Sequence, residues 1–378
     1  MSEKEQILQP LNKNFKEPKL RFKEFTISWK KVLFMDLFSI SSFKNKNFEY
    51  LKVLSANQQL GMMPRDEGGI DIQFDIAKIN TYKIIHAGDY VIHLRSFQGG
   101  FAFSKYDGIC SPAYIILTPN HNLLVYSFFE EYFKSKKFIK SLKNVTFGLR
   151  DGKNIDVEKW MGSYTYIPNI NEQIKIIRLL SILNQKINLL EEKISILKKY
   201  KKGLQKRIFI TGNFSKKTLL KDIVKFERKS NIPAGNSIED GIYVLYKSGQ
   251  KNGFINHFTH DGIYIIANDG GEASFKLTNG KFAYTDHCIC FKCENNEKTI
   301  TLFNYLQMLE KKINYVGFIG TGLKNIDRQY LNSVKIPEIN FEHIAHLFSN
   351  MDKIIDAKIN ELGRLKLIKA QLLKDLFL

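Results

Sequence analysis

Lys153-Asn154-Ile155-Asp156 recurs 171 positions later as Lys324-Asn325-Ile326-Asp327. Four matching residues decide nothing alone, but the correspondence continues outward in the same order. Upstream, Tyr114-Ile115-Ile116-Leu117 answers to Cys288-Ile289-Cys290-Phe291 at an offset of 174. Further upstream, Trp29-Lys30-Lys31-Val32-Leu33-Phe34-Met35-Asp36-Leu37 answers to Ser215-Lys216-Lys217-Thr218-Leu219-Leu220-Lys221-Asp222-Ile223 at 186, and downstream Phe209 meets Phe377 at 168. The shrinking offset places insertions in the first unit that the second lacks, and insertions are tolerated in surface loops. Two copies of one scaffold, differing at their tips, are therefore expected in one chain.

Each copy reads as a globule of mixed structure followed by a long helix. Short apolar runs such as Tyr90-Val91-Ile92-His93-Leu94 and Tyr243-Val244-Leu245-Tyr246 are strand-like and bounded by glycine-rich turns. Phe128 to Leu142 and Ile300 to Ile313 have the spacing of amphipathic helices within the globules. Glu172 to Phe209 contains no proline and one glycine, Gly203. Its apolar positions Leu183, Ile187, Leu190, Ile194, Leu197, Leu204 and Ile208 alternate steps of four and three, interrupted by Lys201, which is the period of a coiled-coil seam. Met351, Ile355, Leu362, Leu365, Leu372 and Leu376 repeat the spacing, with Lys358 and Lys369 as breaks. The first helix would be about 57 Å long at about 1.5 Å per residue. The fold class expected is α+β: two mixed α/β domains, each followed by a long helix, the two helices forming an antiparallel coiled coil with pseudo-two-fold symmetry. Two helices buried within one core are the competing arrangement. The expected boundaries are a polar segment at 1–20, a first domain at 21–168, a helix at 169–210, a second domain at 211–337 and a second helix at 338–378.

Composition narrows the partners. The chain of 378 residues is 44% apolar and 13% aromatic, enough for two or three ordinary cores. Lys and Arg outnumber Asp and Glu by 57 to 38, and a net charge of +19 favours a polyanion. No apolar run of bilayer-spanning length occurs and the N-terminus lacks a signal-peptide core, so no membrane partner and a cytoplasmic location are expected. Four cysteines do not make a disulfide framework. His287, Cys288, Cys290 and Cys293 lack the usual Cys-x-x-Cys spacing, and the repeat places Cys288 and Cys290 over strand positions, so core packing rather than metal is expected. Gly317 to Gly322 with Leu323-Lys324 misses the order of a phosphate loop. No Asn-Pro-Pro-Tyr type tetrapeptide suggests a methyltransferase, and Glu130-Glu131 and Glu191-Glu192 read as solvated helix faces.

At this point the chain resembles the specificity subunits of type I restriction-modification enzymes over essentially its whole length. The residues that carry the resemblance are Pro18-Lys19-Leu20-Arg21-Phe22 leading to Trp29, then Ile167-Pro168, Glu172-Gln173, Leu183-Asn184 and Lys201-Lys202-Gly203-Leu204-Gln205-Lys206. Arg95-Ser96-Phe97-Gln98-Gly99-Gly100 followed by Ser111-Pro112-Ala113-Tyr114 resembles the target recognition domains of that family. The second copy departs from the pattern: Pro337 is followed by Phe341-Glu342-His343, and the terminal segment is Lys369-Ala370-Gln371-Leu372. The resemblance implies a non-catalytic subunit that reads a split target in double-stranded DNA, one half-site per domain. It further implies that methylation subunits, usually two, dock on the helices and that restriction and translocase subunits join through the complex. S-adenosylmethionine, ATP and magnesium would belong to those partners, leaving this chain without a cofactor. A coiled-coil assembly protein that binds proteins or RNA, and a stand-alone basic nuclease, are the rival readings.

Base reading uses Arg or Lys for guanine, Asn or Gln for adenine and carboxylates for cytosine, carried on loops that reach a groove. The candidates in the first unit are Asn57, Gln58, Gln59 and Arg65, then Arg95 and Gln98. In the second they are Lys247, Gln250, Lys251 and Asn252, then Asn268 with Asp269. Thr146-Phe147-Gly148-Leu149-Arg150 aligns with Gly320-Thr321-Gly322-Leu323-Lys324, so Arg150, Lys153 and Lys324 are expected at phosphates, which position without specifying. An ordinary polar loop tip is the alternative for any one of them. Lys198, Lys199, Lys201, Lys202, Lys206 and Arg207 face either spacer DNA or solvent. Leu183, Ile187, Leu190, Ile194, Leu197, Leu204, Met351, Ile355, Leu362, Leu365 and Leu372 are expected to serve both the seam and subunit docking.

Overall fold

A computed structural model of the chain describes residues 15–57, 59–65, 76–93, 100–147, 154–212, 214, 216–249, 251–322 and 324–378. It divides into two compact units, Met1–Asn188 with Gly363–Leu378, and Leu189–Leu362. Both divisions fall inside long helices, Ile170–Ile210 and Phe341–Leu376, so each unit contains a globule and a portion of each helix.

The first unit is built on a four-stranded antiparallel sheet in the order Phe38–Ser41, Ile115–Pro119, Tyr90–Ile92, Phe101–Phe103. The second has the same order in Val224–Phe226, Cys288–Cys293, Ile265–Asn268, Phe275–Leu277. Registers correspond as well: Phe38 lies opposite Pro119 and Val224 opposite Cys293, while Leu117 faces Tyr90 and Phe291 faces Ile265. A slip of one residue would turn Phe38, Tyr90 and Leu117 out of the core, which fixes the pairing. In each unit the strand that leaves the globule pairs antiparallel with the one that enters it, Tyr164–Ile167 with Trp29–Leu33 and Lys335–Pro337 with Lys217–Leu219. The chain is thereby delivered to the start of its long helix.

The first core is aromatic. Trp29, Phe38, Phe128 and Phe129 are fully buried, and Phe34 stacks on Trp160 with ring centroids 4.4 Å apart. That density changes the local backbone. The sequence spacing predicts a helix over 128–142, whereas the structure has turns through Ser135 and a helix only at Lys136–Ser141. Two side chains from elsewhere anchor the chain where it enters this segment, and within it Phe133 N–H donates to the Phe129 carbonyl and Ser135 N–H to the Tyr132 carbonyl, both at 2.9 Å, as successive turns. Phe129 N–H donates to Tyr90 Oη at 3.2 Å, and Tyr90 Oη donates to the Tyr126 carbonyl at 2.6 Å. Val125 N–H donates to Gln173 Oε1 at 2.8 Å. The helix expected at Ile300 to Ile313 forms and runs further, Asn296–Val316, with the Asn295 side chain accepting from Lys298 N–H as its cap.

The apolar positions of the long helices turn inward. Ile187, Leu190, Ile194 and Ile355 are buried, and Leu183, Leu197, Leu204, Met351, Leu362, Leu365 and Leu372 half-buried. Within the second unit the helices run in opposite directions where they meet. Lys201 Nζ donates to both Asp352 carboxylate oxygens at 2.6 and 2.8 Å, and one helical stretch later Phe209 packs on the preceding turns of the other helix at Phe348 and Ile344. The three lysines that break the heptads are all matched by carboxylates: Lys201 by Asp352, Lys358 by Glu361 and Lys369 by Glu131.

Glu131 is the buried anchor of this kind in the first unit, holding Lys369 at 2.5 Å and accepting from Asn184 at 3.0 Å. Burial pushes its carboxyl up, but Lys134, Lys369 and the hydrogen bonds from Lys369 and Asn184 outweigh it and hold the group below the ordinary carboxylate range. A carboxyl depressed in the folded state stabilises it fully above the unfolded value, about 4.3. That stabilisation drains as pH falls through the folded value. The melting temperature of the first unit is therefore expected to fall below about pH 4.3, and Glu131→Gln to flatten that acid limb. Superimposable limbs in wild type and variant would remove this role.

Candidate nucleic-acid interface

In the second unit three segments expected to meet a polyanion come together. The hairpin of Tyr243–Tyr246 and Gly253–Ile255 has Lys247 to Asn252 at its tip, with Ser248, Lys251 and Asn252 exposed. The turn that follows Ile265–Asn268 shares a cleft with that tip: Ser248 and Gly249 line it together with Asn268, Gly270 to Ser274 and His287. The same turn is fastened to the third segment, where Gly271 N–H donates to the Lys324 carbonyl at 2.8 Å and Ile326 N–H to the Asp269 carbonyl at 2.9 Å. Gly271 sits at φ +85°, in the left-handed region that glycine enters without strain. Lys324 is exposed beside the cleft.

Asn268 behaves differently from the amide that base reading would require. It is 5% exposed, and its Nδ2 donates to the Glu272 carbonyl at 3.0 Å, so it braces the turn rather than presenting itself to solvent. Asp269 is held by Arg328 at 3.3 Å. Lys247 is half-buried with its ammonium 3.5 Å from Ser237 Oγ.

The first unit carries a comparable hairpin, Leu54–Asn57 with Gly61–Pro64. The Asn57 side chain accepts from Gln59 N–H at 2.9 Å and Leu60 N–H at 3.0 Å, shaping a tip on which Asn57 and Gln59 are exposed. At φ +84°, Gly61 brings the backbone against Phe103, whose carbonyl oxygen would lie 2.4 Å from any Cβ, so no other residue fits. Arg65 lies away from the tip with its guanidinium over the Tyr82 ring at 5.9 Å. Gln58, Arg95, Gln98, Arg150, Lys153 and Gln250 lie outside the described residues.

The aligned turns have equivalent settings. Thr146–Phe147 pairs with Asn154–Ile155, and Phe318–Ile319 with Asn325–Ile326. Each pair leads into a short helix capped by an aspartate side chain, Asp156 accepting from Lys159 N–H at 3.0 Å and Asp327 from Gln329 N–H at 2.8 Å.

How the globule grips its helix was not evident from residue types alone. Glu172 is buried and accepts from Arg21 through both carboxylate oxygens at 2.9 Å and from Trp29 Nε1 at 3.2 Å. Gln173, also buried, donates to the Leu123 and Pro168 carbonyls at 2.9 and 3.0 Å. In the second unit Gln205 does related work, donating to Asn304 and Gln307 at 3.1 Å each.

The seam residues expected to double as a docking face are turned inward, and a different stripe is outward. Leu189, Ile196 and Ile210 are 65, 56 and 64% exposed, and Gly203, at the same seven-residue spacing, opens onto empty space. Tyr200 adds to this face at 60%.

Cys288, Cys290 and Cys293 are buried strand residues whose thiols burial pushes up. Among the described residues no group of three or more His, Cys, Asp or Glu is placed to hold a metal ion, and no helix is long and apolar enough to cross a membrane.

Comparison with known proteins converges. Residues 215–364 match the family described as type I restriction modification DNA specificity domain. A putative type I restriction enzyme MjaX specificity subunit from Methanocaldococcus jannaschii is 23% identical over 346 residues, covering 80% of this chain and 79% of that protein. The crystal structure of a type I restriction-modification system S subunit from M. genitalium superposes with a TM-score of 0.65 at 17% identity, covering 96% of this chain and 99% of the other. A chain from a structure addressing complex assembly and conformational transition of the type I R-M system gives 0.53 at 12% identity, covering 91% and 96%.

Proposed function

We propose that the chain, whose residues 215–364 match the type I restriction modification DNA specificity domain, is a type I restriction-modification specificity subunit that reads a split target in duplex DNA, one half-site per globule, without catalysis of its own. The observation that carries this reading is the matched sheet order of the two units, each with an exposed hairpin tip, Asn57 and Gln59 in the first and Lys251 and Asn252 in the second. Two copies of one scaffold with different tips suit two different half-sites. On this reading the long helices pair as an antiparallel coiled coil that sets the unread gap, and readers on a stiff spacer bind together only when half-sites match in separation and phase. Methylation subunits dock on the outward stripe of Leu189, Ile196 and Ile210, and restriction subunits join through them. S-adenosylmethionine, ATP and magnesium are used on those partners.

The test is methylome sequencing of cells that express the chain with its cognate methylation subunit, against cells with that subunit alone. Methylated adenines in one two-part motif of fixed gap are expected. No new motif from an assembled complex would favour a protein- or RNA-binding role.

Lys324 and Arg150 are assigned to phosphates. Lys324→Ala with Arg150→Ala is expected to weaken binding to all sequences alike, and to reduce the slope of log affinity against log salt by about one for each phosphate no longer neutralised. Fluorescence anisotropy across a salt series measures both, and an unchanged slope would remove the assignment.

A further inference from the structure

Lys276 lies on the strand Phe275–Leu277, half-buried, opposite Ile266. Its ammonium donates to the Lys247 carbonyl at 2.7 Å, the Gly249 carbonyl at 2.6 Å and Asn252 Oδ1 at 2.9 Å. A lysine ammonium has three hydrogens and no acceptor, so its whole capacity goes to one six-residue tip. Gly249, at φ +121°, sits in the left-handed region where any side chain would strain this turn. Burial lowers the affinity of Lys276 for its proton, and so does the neighbouring Lys247.

We infer that Lys276 is a positioning residue for target reading by the second unit, fixing the tip Lys247 to Asn252 without touching DNA itself. The inference rests on the split-target reading above. Because an ammonium can only donate, it also fixes the orientation of the Asn252 amide, with the oxygen inward and the nitrogen left to donate. A donor of that kind suits guanine N7 or O6, thymine O4 or a phosphate, whereas bidentate reading of adenine needs donor and acceptor side by side. Nothing in the type or spacing of Lys276 marks it in the sequence; two strands bring it under the tip.

The experiment uses the full chain assembled with its methylation subunit, as wild type, Lys276→Met and Lys276→Gln. Methylation rates are measured on the target motif and on every single mismatch in each half-site. Lys276→Met is expected to lose about tenfold in discrimination, the size of one base-edge contact, at one half-site only. Lys276→Gln, which keeps two N–H donors, recovers part of it. Unchanged discrimination at both halves in Lys276→Met overturns the positioning role and leaves the split-target reading intact, whereas a wild type without any two-part motif overturns that reading. Lysine acylation footprinting of the wild-type complex makes the test independent of variant folding. Lys276 is expected to react slowly with and without DNA, and Lys251 to become protected only when DNA is bound. A Lys276 that reacts readily alone and is shielded by DNA would be a contact itself, which overturns the proposal.

Discussion

Glu172→Ala is expected to destabilise the first unit by about 3 kcal/mol, because breaking a buried ion pair from one side costs about 3–5 kcal/mol and Arg21 regains part of it by reaching water. Three donors lose their acceptor at once: the Arg21 Nε and Nη2 groups and the indole N–H of Trp29. Trp29 is the graver case, being fully buried with no room to find water. The melting transition of this unit is expected about 6–12 °C lower by calorimetry, at about 2–4 °C per kcal/mol for a unit of this size. Glu172→Gln, which still accepts from Trp29, is expected to lose less. A change under about 1 kcal/mol in Glu172→Ala would show that the carboxylate is not what ties the helix to its globule.

Glu172 also shows where sequence reading stops. The Glu-Gln pair is visible as a pattern after Pro168, yet its partners are Arg21, Trp29, Leu123 and Val125, distant in the chain and unmarked by any spacing. Heptad positions such as Ile187, Leu190 and Ile194 were legible because burial along a helix is periodic. The breaks were legible only as breaks; that Lys201 is a buried ion-paired residue needed Asp352 beside it. Phe128 to Leu142 misled because its apolar spacing reports burial, and Phe128, Phe129, Phe133 and Phe138 are buried from a run of turns as they would be from a helix. Long-range side-chain to backbone bonds have no local signature. The tips were found by residue type, which marks Asn57 and Lys251 but also marked Asn268, which is buried with its amide nitrogen donating inside its own turn.

Duplicating Ile182 to Asn188 in the first helix and Asp356 to Leu362 in the second tests the spacer reading, and the expected effect is loss of methylation at the original motif. Both insertions end at the divisions between the two units, after Asn188 and after Leu362, so the packing internal to each unit keeps its partners. Seven residues keep the seam in register, since the heptad is its period. They lengthen each helix by about 10.5 Å, or about three base pairs at about 3.4 Å each. The new gap rotates one half-site about the DNA axis by about 100°, given about 10–10.5 base pairs per turn. A motif with the same two halves and a gap longer by about three base pairs is therefore expected to appear, methylated more slowly than the original by wild type. The lost phase must be recovered by twisting DNA, which costs energy even where length matches. Methylome sequencing of cells carrying the duplicated chain reads both features at once. If the original gap survives the insertion, the helices do not set it, and the separation of half-sites must be imposed by the methylation subunits instead.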